Sequence, residues 1–201
     1  MKSKLIMLAL LLGIIVLIIL IVRLNAVKRE KEEAKKNQWP KAGKVVGTYN
    51  NVDIYSNGQR VFQSHGKHHS PVGYYYGRKW QCVEFIKRYY YDAHGHEMPN
   101  VWGNAKDFFD ESLAHGELNT DRGMTQFHNK NLMKPMVDDL LVWTNGRFGH
   151  VGVITEVHSD HIVVAQQNIR HGAMKEIPLT NSAGFWSIAG DSPPAGWLRL
   201  K

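Results

Sequence analysis

Leu5 to Val22 is an unbroken apolar run of eighteen residues, L-I-M-L-A-L-L-L-G-I-I-V-L-I-I-L-I-V. No other stretch restricts the chain so severely. As a helix it extends about 27 Å, enough to cross a hydrocarbon core. A surface helix needs a polar face, and this one has none. A cleaved secretory signal has a shorter apolar stretch and a small-x-small cleavage site, which Arg23-Leu24-Asn25-Ala26 does not supply. The run therefore predicts an uncleaved single-pass anchor over residues 1–24, placing the protein at a bacterial inner or cell membrane through residues 5–22.

The charge follows the same division. The net charge is +7, but residues 1–41 alone hold nine Lys/Arg against Glu30, Glu32 and Glu33, and the rest is almost neutral. The basic residues flank the apolar run, where they can meet anionic headgroups. The remainder has no basic stripe, so nucleic-acid binding is not expected. The Lys/Arg count favours a cytoplasmic C-terminal side, while a short basic start before an apolar run also suits an exported domain; the side stays open.

Residues 25–42 are charged and poor in apolar residues, and read as a linker or helical extension ending near Pro40. A domain of ordinary size follows over 43–201. Val45–Tyr49 and Val52–Tyr55 read as strands around an Asn50-Asn51 turn. Residues 59–79 read as mostly irregular. From Cys82 the apolar spacing becomes helical through Val83, Phe85, Ile86, Tyr89, Tyr90 and Ala93, stopped by Gly95. Asn104 to His115 is expected to be a second helix, with Asn104 as its cap. After Pro135 the period changes to two, predicting strands at Leu140–Trp143, His150–Val157, His161–Asn168, Met174–Ile177 and Gly196–Leu200. Helices followed by an antiparallel meander predict an α+β domain with its helices packed on one side of the sheet.

Cys82 is the only cysteine, so no intramolecular disulfide exists. A thiol in the first turn of a helix meets unpaired backbone N–H groups and the positive end of the dipole, which favours thiolate. The same groups can donate to an oxyanion, and Gln81 adds a side-chain amide. A lone cysteine is otherwise a small buried hydrophobe. A thiolate nucleophile needs a base that later protonates the leaving amine. Among eleven histidines, most fall in turns. His65, His68 and His69 lack the carboxylates or cysteines of a metal site, and neither metal nor cofactor is expected. His150 opens a strand directly after N-G-R-F-G. It shares a face with Gly152 and Ile154. A three-residue loop, His158 to Asp160, would set Gly152 opposite Gln166 and His150 opposite Asn168. A two-residue loop would turn both polar residues to the wrong face, so an acceptor for the imidazole N–H requires the odd loop or a bulge.

W-Q-C-V-E-F at 80–85, F-G-H-V-G-V-I-T at 148–155 and A-Q-Q-N at 165–168 resemble the CHAP family, cysteine- and histidine-dependent amidohydrolases/peptidases, and in particular the amidase domains of bifunctional glutathionylspermidine synthetase/amidases. G-T-Y-N-N-V-D-I-Y-S at 47–56 and A-G-W-L-R-L at 195–200 look like the opening and closing strands. The resemblance implies a papain-like CHAP fold over 43–201. It implies Cys82 as nucleophile, His150 as base and Gln166 as its orienting partner. Gln81 would form the oxyanion hole with the Cys82 N–H, and Asn168 and Lys87 would lie near substrate. Gln166 stands where the family usually has Glu; its carbonyl can accept from the ring but cannot stabilise imidazolium as a carboxylate does. Lys87 stands where glutathione-cleaving relatives place an Arg, and lacks the bidentate fork. No phosphate-binding Gly-rich motif appears in these residues, so an ATP-dependent synthetase activity is not expected of them. A thiol amidase is implied, acting on a glutathione–polyamine type of small amide. The alternatives are a peptidoglycan amidase/endopeptidase outside the membrane and an inactive binding module.

Overall fold

The period-two stretches assemble one large sheet, and its strands outnumber what the pattern alone shows. A computed structural model gives the fold. It describes residues 2–36, 39–170 and 172–201, with the side chains of 2–12 and 33–36 outside that description. The chain forms two compact units, Met1–Gln38 and Trp39–Lys201.

The first unit is one helix, α1 (Lys2–Lys36). Among the described residues no helix is long and apolar enough to cross a membrane. This corrects the expected transmembrane span; the side chains of its first eight residues, 5–12, lie outside the described set.

The second unit begins with two hairpins. β1 (Val45–Tyr49) pairs with β2 (Val52–Tyr55) through Asn50 and Asn51, both at positive φ (44° and 62°). That is the turn whose twist suits a two-residue hairpin and which asparagine tolerates. β3 (Lys67–His69) pairs with β4 (Tyr75–Arg78) in the stretch expected to be irregular. α2 (Cys82–His94) follows and ends on Gly95 in the left-handed conformation. Eight strands then form the main sheet: β5 (Leu118–Asn119), β6 (Met124–His128), β7 (Leu140–Trp143), β8 (His150–Val157), β9 (His161–Ala165), β10 (Met174–Ser182), β11 (Phe185–Ile188) and β12 (Gly196–Arg199). Their order is β11-β10-β9-β8-β7-β12-β6-β5, so the last strand inserts between β7 and β6 and the expected simple meander is interrupted.

The expected α+β class, with helices packed on the sheet behind a membrane helix, gives way to a largely sheet domain with one α-helix among its described residues. The predicted second helix at 104–115 is only a 3-10 turn, Ala105–Phe108. Gln126 on β6 explains why it stops. Its Oε1 accepts the Asp110 N–H at 2.9 Å and its Nε2 donates to the Asp110 carbonyl at 2.7 Å, which uses both groups that a continuing helix needs. Phe85, Ile86, Tyr89 and Tyr90 of α2 pack with Leu140, Val142, Val151, Val153 and Leu198. The alternate residues Leu141, Ile154, Ile162, Val164 and Trp197 form a second core.

Candidate active site

Gln81 is extended (φ −78°, ψ 158°) and caps α2, so Cys82 is its first residue. Two contacts fix this start. The Gln81 N–H donates to the Arg78 carbonyl at 2.9 Å. Gly77 (φ +142°) lies so close to the helix that a Cβ would sit 3.1 Å from the Glu84 Cα and 3.2 Å from its N, so a side chain there would push β4 off the first turn. The Cys82 sulfur is buried and meets the backbone N–H groups of Val151, Val83 and Cys82 itself. Burial pushes the thiol up to about 11, and the three donors only partly offset it. The helix terminus alone favours thiolate; desolvation, which is not legible in the local sequence, favours the neutral thiol.

His150 opens β8 opposite Trp143, whose Nε1 donates to the Ser192 carbonyl at 2.9 Å. Its approach depends on Gly149 (φ +70°), where a Cβ would meet the Trp143 carbonyl at 2.4 Å. The register with β9 comes from a bulge. The hairpin starts with Val157 opposite Ile162, so the loop is four residues, not three; the pairing then slips at Thr155, and Val153 lies opposite Ala165. Continued, that register sets Gly152 opposite Gln166 and His150 opposite Asn168. At Gly152 the missing side chain admits Val164 Cγ1 and the Ala165 carbonyl, 2.7 and 3.1 Å from a built Cβ, rather than the imidazole. His150 Nε2 donates to Gln166 Oε1 at 2.9 Å, which leaves Nδ1 as the basic nitrogen. Burial lowers the His150 pKa, opposed by the Gln166 bond. Burial thus favours the neutral form of both reactive groups. Among the described residues no hydrogen bond joins them; they line one cleft of about 720 Å³.

Gln81 and Asn168 also line this cleft, and they bind each other, Asn168 Nδ2 donating to Gln81 Oε1 at 2.7 Å. Gln81 Nε2 donates to the carbonyls of Val61 (3.2 Å) and Gln63 (2.9 Å). The Val61 carbonyl receives two further donors, Asn57 Nδ2 at 3.1 Å and Asn168 Nδ2 at 2.9 Å. Three donors on two lone pairs leave one weakly held. Asn168 Oδ1 is buried and, among the described residues, has no partner.

Lys87 is not brought to the cleft. It is buried, donates to the Val101 carbonyl at 2.9 Å and lies over the rings of Tyr74 and Tyr75. Burial, then the Arg122 charge, lowers its pKa to about 7.

Sequence reasoning missed a brace behind the site. Glu84, fully buried, accepts from His68 Nδ1 (2.7 Å), Arg88 Nε (2.6 Å) and Gln167 Nε2 (2.6 Å). Gln167 also donates to the Gln81 carbonyl at 2.9 Å and accepts the Tyr55 N–H at 2.7 Å. Burial raises the Glu84 carboxyl, but its bonds from His68, Arg88 and Gln167 and the Arg88 charge outweigh it, and the group sits below its ordinary value. The available signal was a carboxylate two residues after the cysteine, one helical turn before Arg88.

Residues 73–168 match the CHAP domain. The chain is 31% identical over 139 residues to the bifunctional glutathionylspermidine synthetase/amidase of Escherichia coli (strain K12), covering 62% of this chain and 22% of that protein. It is 28% identical over 163 residues to trypanothione synthetase of Crithidia fasciculata, 74% of this chain and 25% of the relative. It is 28% identical over 96 residues to endolysin PlyTW of Staphylococcus phage Twort, 44% and 19% respectively. The chain thus spans about a fifth to a quarter of the length of these relatives.

Proposed function

Residues 73–168 carry a CHAP domain, and from that premise we propose that the chain is a cysteine amidohydrolase/peptidase in which Cys82 attacks an amide carbonyl. The observation that carries this reading is the shared cleft: the thiol at the start of α2 and the imidazole at the start of β8 both face it. Because both are neutral, no ion pair waits for substrate. The proton passes from Sγ to His150 Nδ1 as the C–S bond forms, and the contact between them closes as substrate enters; catalytic hydrogen bonds are often made only in the complex. The Cys82 N–H and one N–H of Gln81 receive the oxyanion. Gln81 releases its long bond to Val61, whose carbonyl keeps Asn57 and Asn168. His150 then gives its proton to the departing amine. Water, deprotonated by His150, attacks the thioester and restores the thiol. The unpartnered Asn168 Oδ1 accepts a substrate N–H.

The relatives suggest two substrate classes, an acylated polyamine of the glutathionylspermidine kind and a peptidoglycan peptide. The test incubates the full chain with glutathionylspermidine and with cell-wall fragments and measures released amine. Release by the wild type and none by Cys82→Ala is expected; equal release by both would remove the sulfur from the reaction. A second reading, an inert binding module, is favoured by the thiol held near 11. It predicts that no acyl-enzyme mass is ever trapped on Cys82.

A further inference from the structure

The wall of the cleft carries charge of one sign only. Lys67 and Arg78 line it, and among the described residues that line it none is acidic. The two cations are direct cross-strand partners in the β3–β4 hairpin. Like charges so placed destabilise a hairpin, and among the described residues neither has an ion-pair partner. Both are solvent-exposed, so they are free to meet a ligand.

The hairpin is also fixed to the helix that bears the sulfur. His68, next to Lys67, donates to Glu84 at 2.7 Å, and Gly77, next to Arg78, packs against the Glu84 backbone. The Arg78 carbonyl holds the Gln81 N–H. The pair is therefore positioned relative to Cys82 without needing to order a loop, and pre-organised cations bind anions at lower entropic cost.

Resting on the amidohydrolase reading above, we infer that Lys67 and Arg78 form a carboxylate subsite, and that the substrate is a peptide amide that carries a free carboxylate and whose departing amine is not a polyamine. A polyamine would bring positive charge into a cleft that offers it no described counter-charge. A stem peptide and a γ-glutamyl peptide share the required chemistry.

Binding separates this from the hydrolase reading, because it does not need turnover. The full-length Cys82→Ala protein is titrated with N-acetyl-alanyl-γ-D-glutamyl-alanine amide bearing a free α-carboxylate, and with the same peptide as its carboxamide. A third ligand is a spermidine amide of the carboxamide peptide, compared with the matching butylamide. The carboxylate peptide is expected to bind about tenfold tighter than the carboxamide, with the advantage shrinking at high salt and absent after Lys67→Gln and Arg78→Gln. The spermidine amide is expected to bind no tighter than the butylamide. Equal binding of the first pair, an advantage that survives both substitutions, no binding of either peptide, or tighter binding of the spermidine amide overturns the subsite. Each leaves Cys82 chemistry to be judged by the acyl-enzyme test.

Discussion

Two histidines near Cys82 each bond a buried side-chain oxygen, and their partners differ in charge. His68 donates to the Glu84 carboxylate at 2.7 Å, and His150 to the Gln166 amide at 2.9 Å. The difference follows from the donors each site can gather. Glu84 has three side-chain donors, one of them a guanidinium, and a buried carboxylate is tolerable only when so satisfied. Gln166 Oε1 receives one described side-chain donor, the ring itself. A carboxylate there would have the ring alone to hold it charged. The brace therefore keeps its ion, and the reactive pair is left neutral, with proton transfer coupled to attack.

The comparison breaks most violently at the charged site. Glu84→Ala leaves Arg88 buried without its counter-ion and frees Gln167 from one of its anchors. Breaking a buried pair from one side costs about 3–5 kcal/mol, and denaturant unfolding should show a loss of that size. A loss below 1 kcal/mol would mean the network is not a brace.

At the neutral site the informative change is Gln166→Glu. A carboxylate in contact with imidazole favours its charged form and raises the His150 pKa. The thiolate–imidazolium pair then becomes accessible at lower pH. Wild-type alkylation by iodoacetamide should climb steadily with pH toward about 11, where burial places the thiol, because only thiolate reacts. Gln166→Glu should label at least about tenfold faster at pH 6. An acid plateau already present in the wild type would refute the neutral resting pair.

Lys87 shows what a buried cation does without a carboxylate. Arg88, beside it, has Glu84; Lys87 has one carbonyl and two rings, and its pKa falls to about 7. The unfolded chain holds that proton up to about 10.4. Between these values the unfolded state binds more protons, so this group makes stability rise with pH from about 7, by at most about 1.4 kcal/mol per unit. Lys87→Met should flatten the rise between pH 7 and 8.5 and be the more stable protein at pH 6. An unchanged slope would show that the amine stays charged in the fold.

How much of this was legible depended on whether the determinant was local. The start of α2 at Cys82, its stop at Gly95 and the Asn50-Asn51 turn follow from short-range rules, and the structure has all three. The pairing of His150 with Gln166 was readable as a condition on register; that a bulge at Thr155 meets it, with a four-residue loop, was not. The helix expected over 104–115 failed because Gln126, distant in sequence, takes the Asp110 backbone. Burial was the harder failure. Helix polarity argued for a thiolate, but desolvation depends on what the whole fold packs over the sulfur. Likewise Lys87 looked like a substrate contact by position, and Tyr74, Tyr75 and Val101 enclose it instead.

The smallest test returns to His68. Replacing it with Gln keeps a donor that can reach Glu84, so the carboxylate remains triply bonded and the charge balance with Arg88 is unchanged. Only ring packing against Tyr76 and Trp80, with centroids 5.3 and 5.5 Å away, is lost, worth about 0.5–1.5 kcal/mol. The thiol labelling profile should not move, since His68 acts on the hairpin and not on the sulfur. His150→Gln, the same chemical change at the other histidine, should cost catalysis by about 10²–10⁴-fold while costing little stability. If the two substitutions exchanged these signatures, His68 would be the base, and Glu84 its orienting carboxylate.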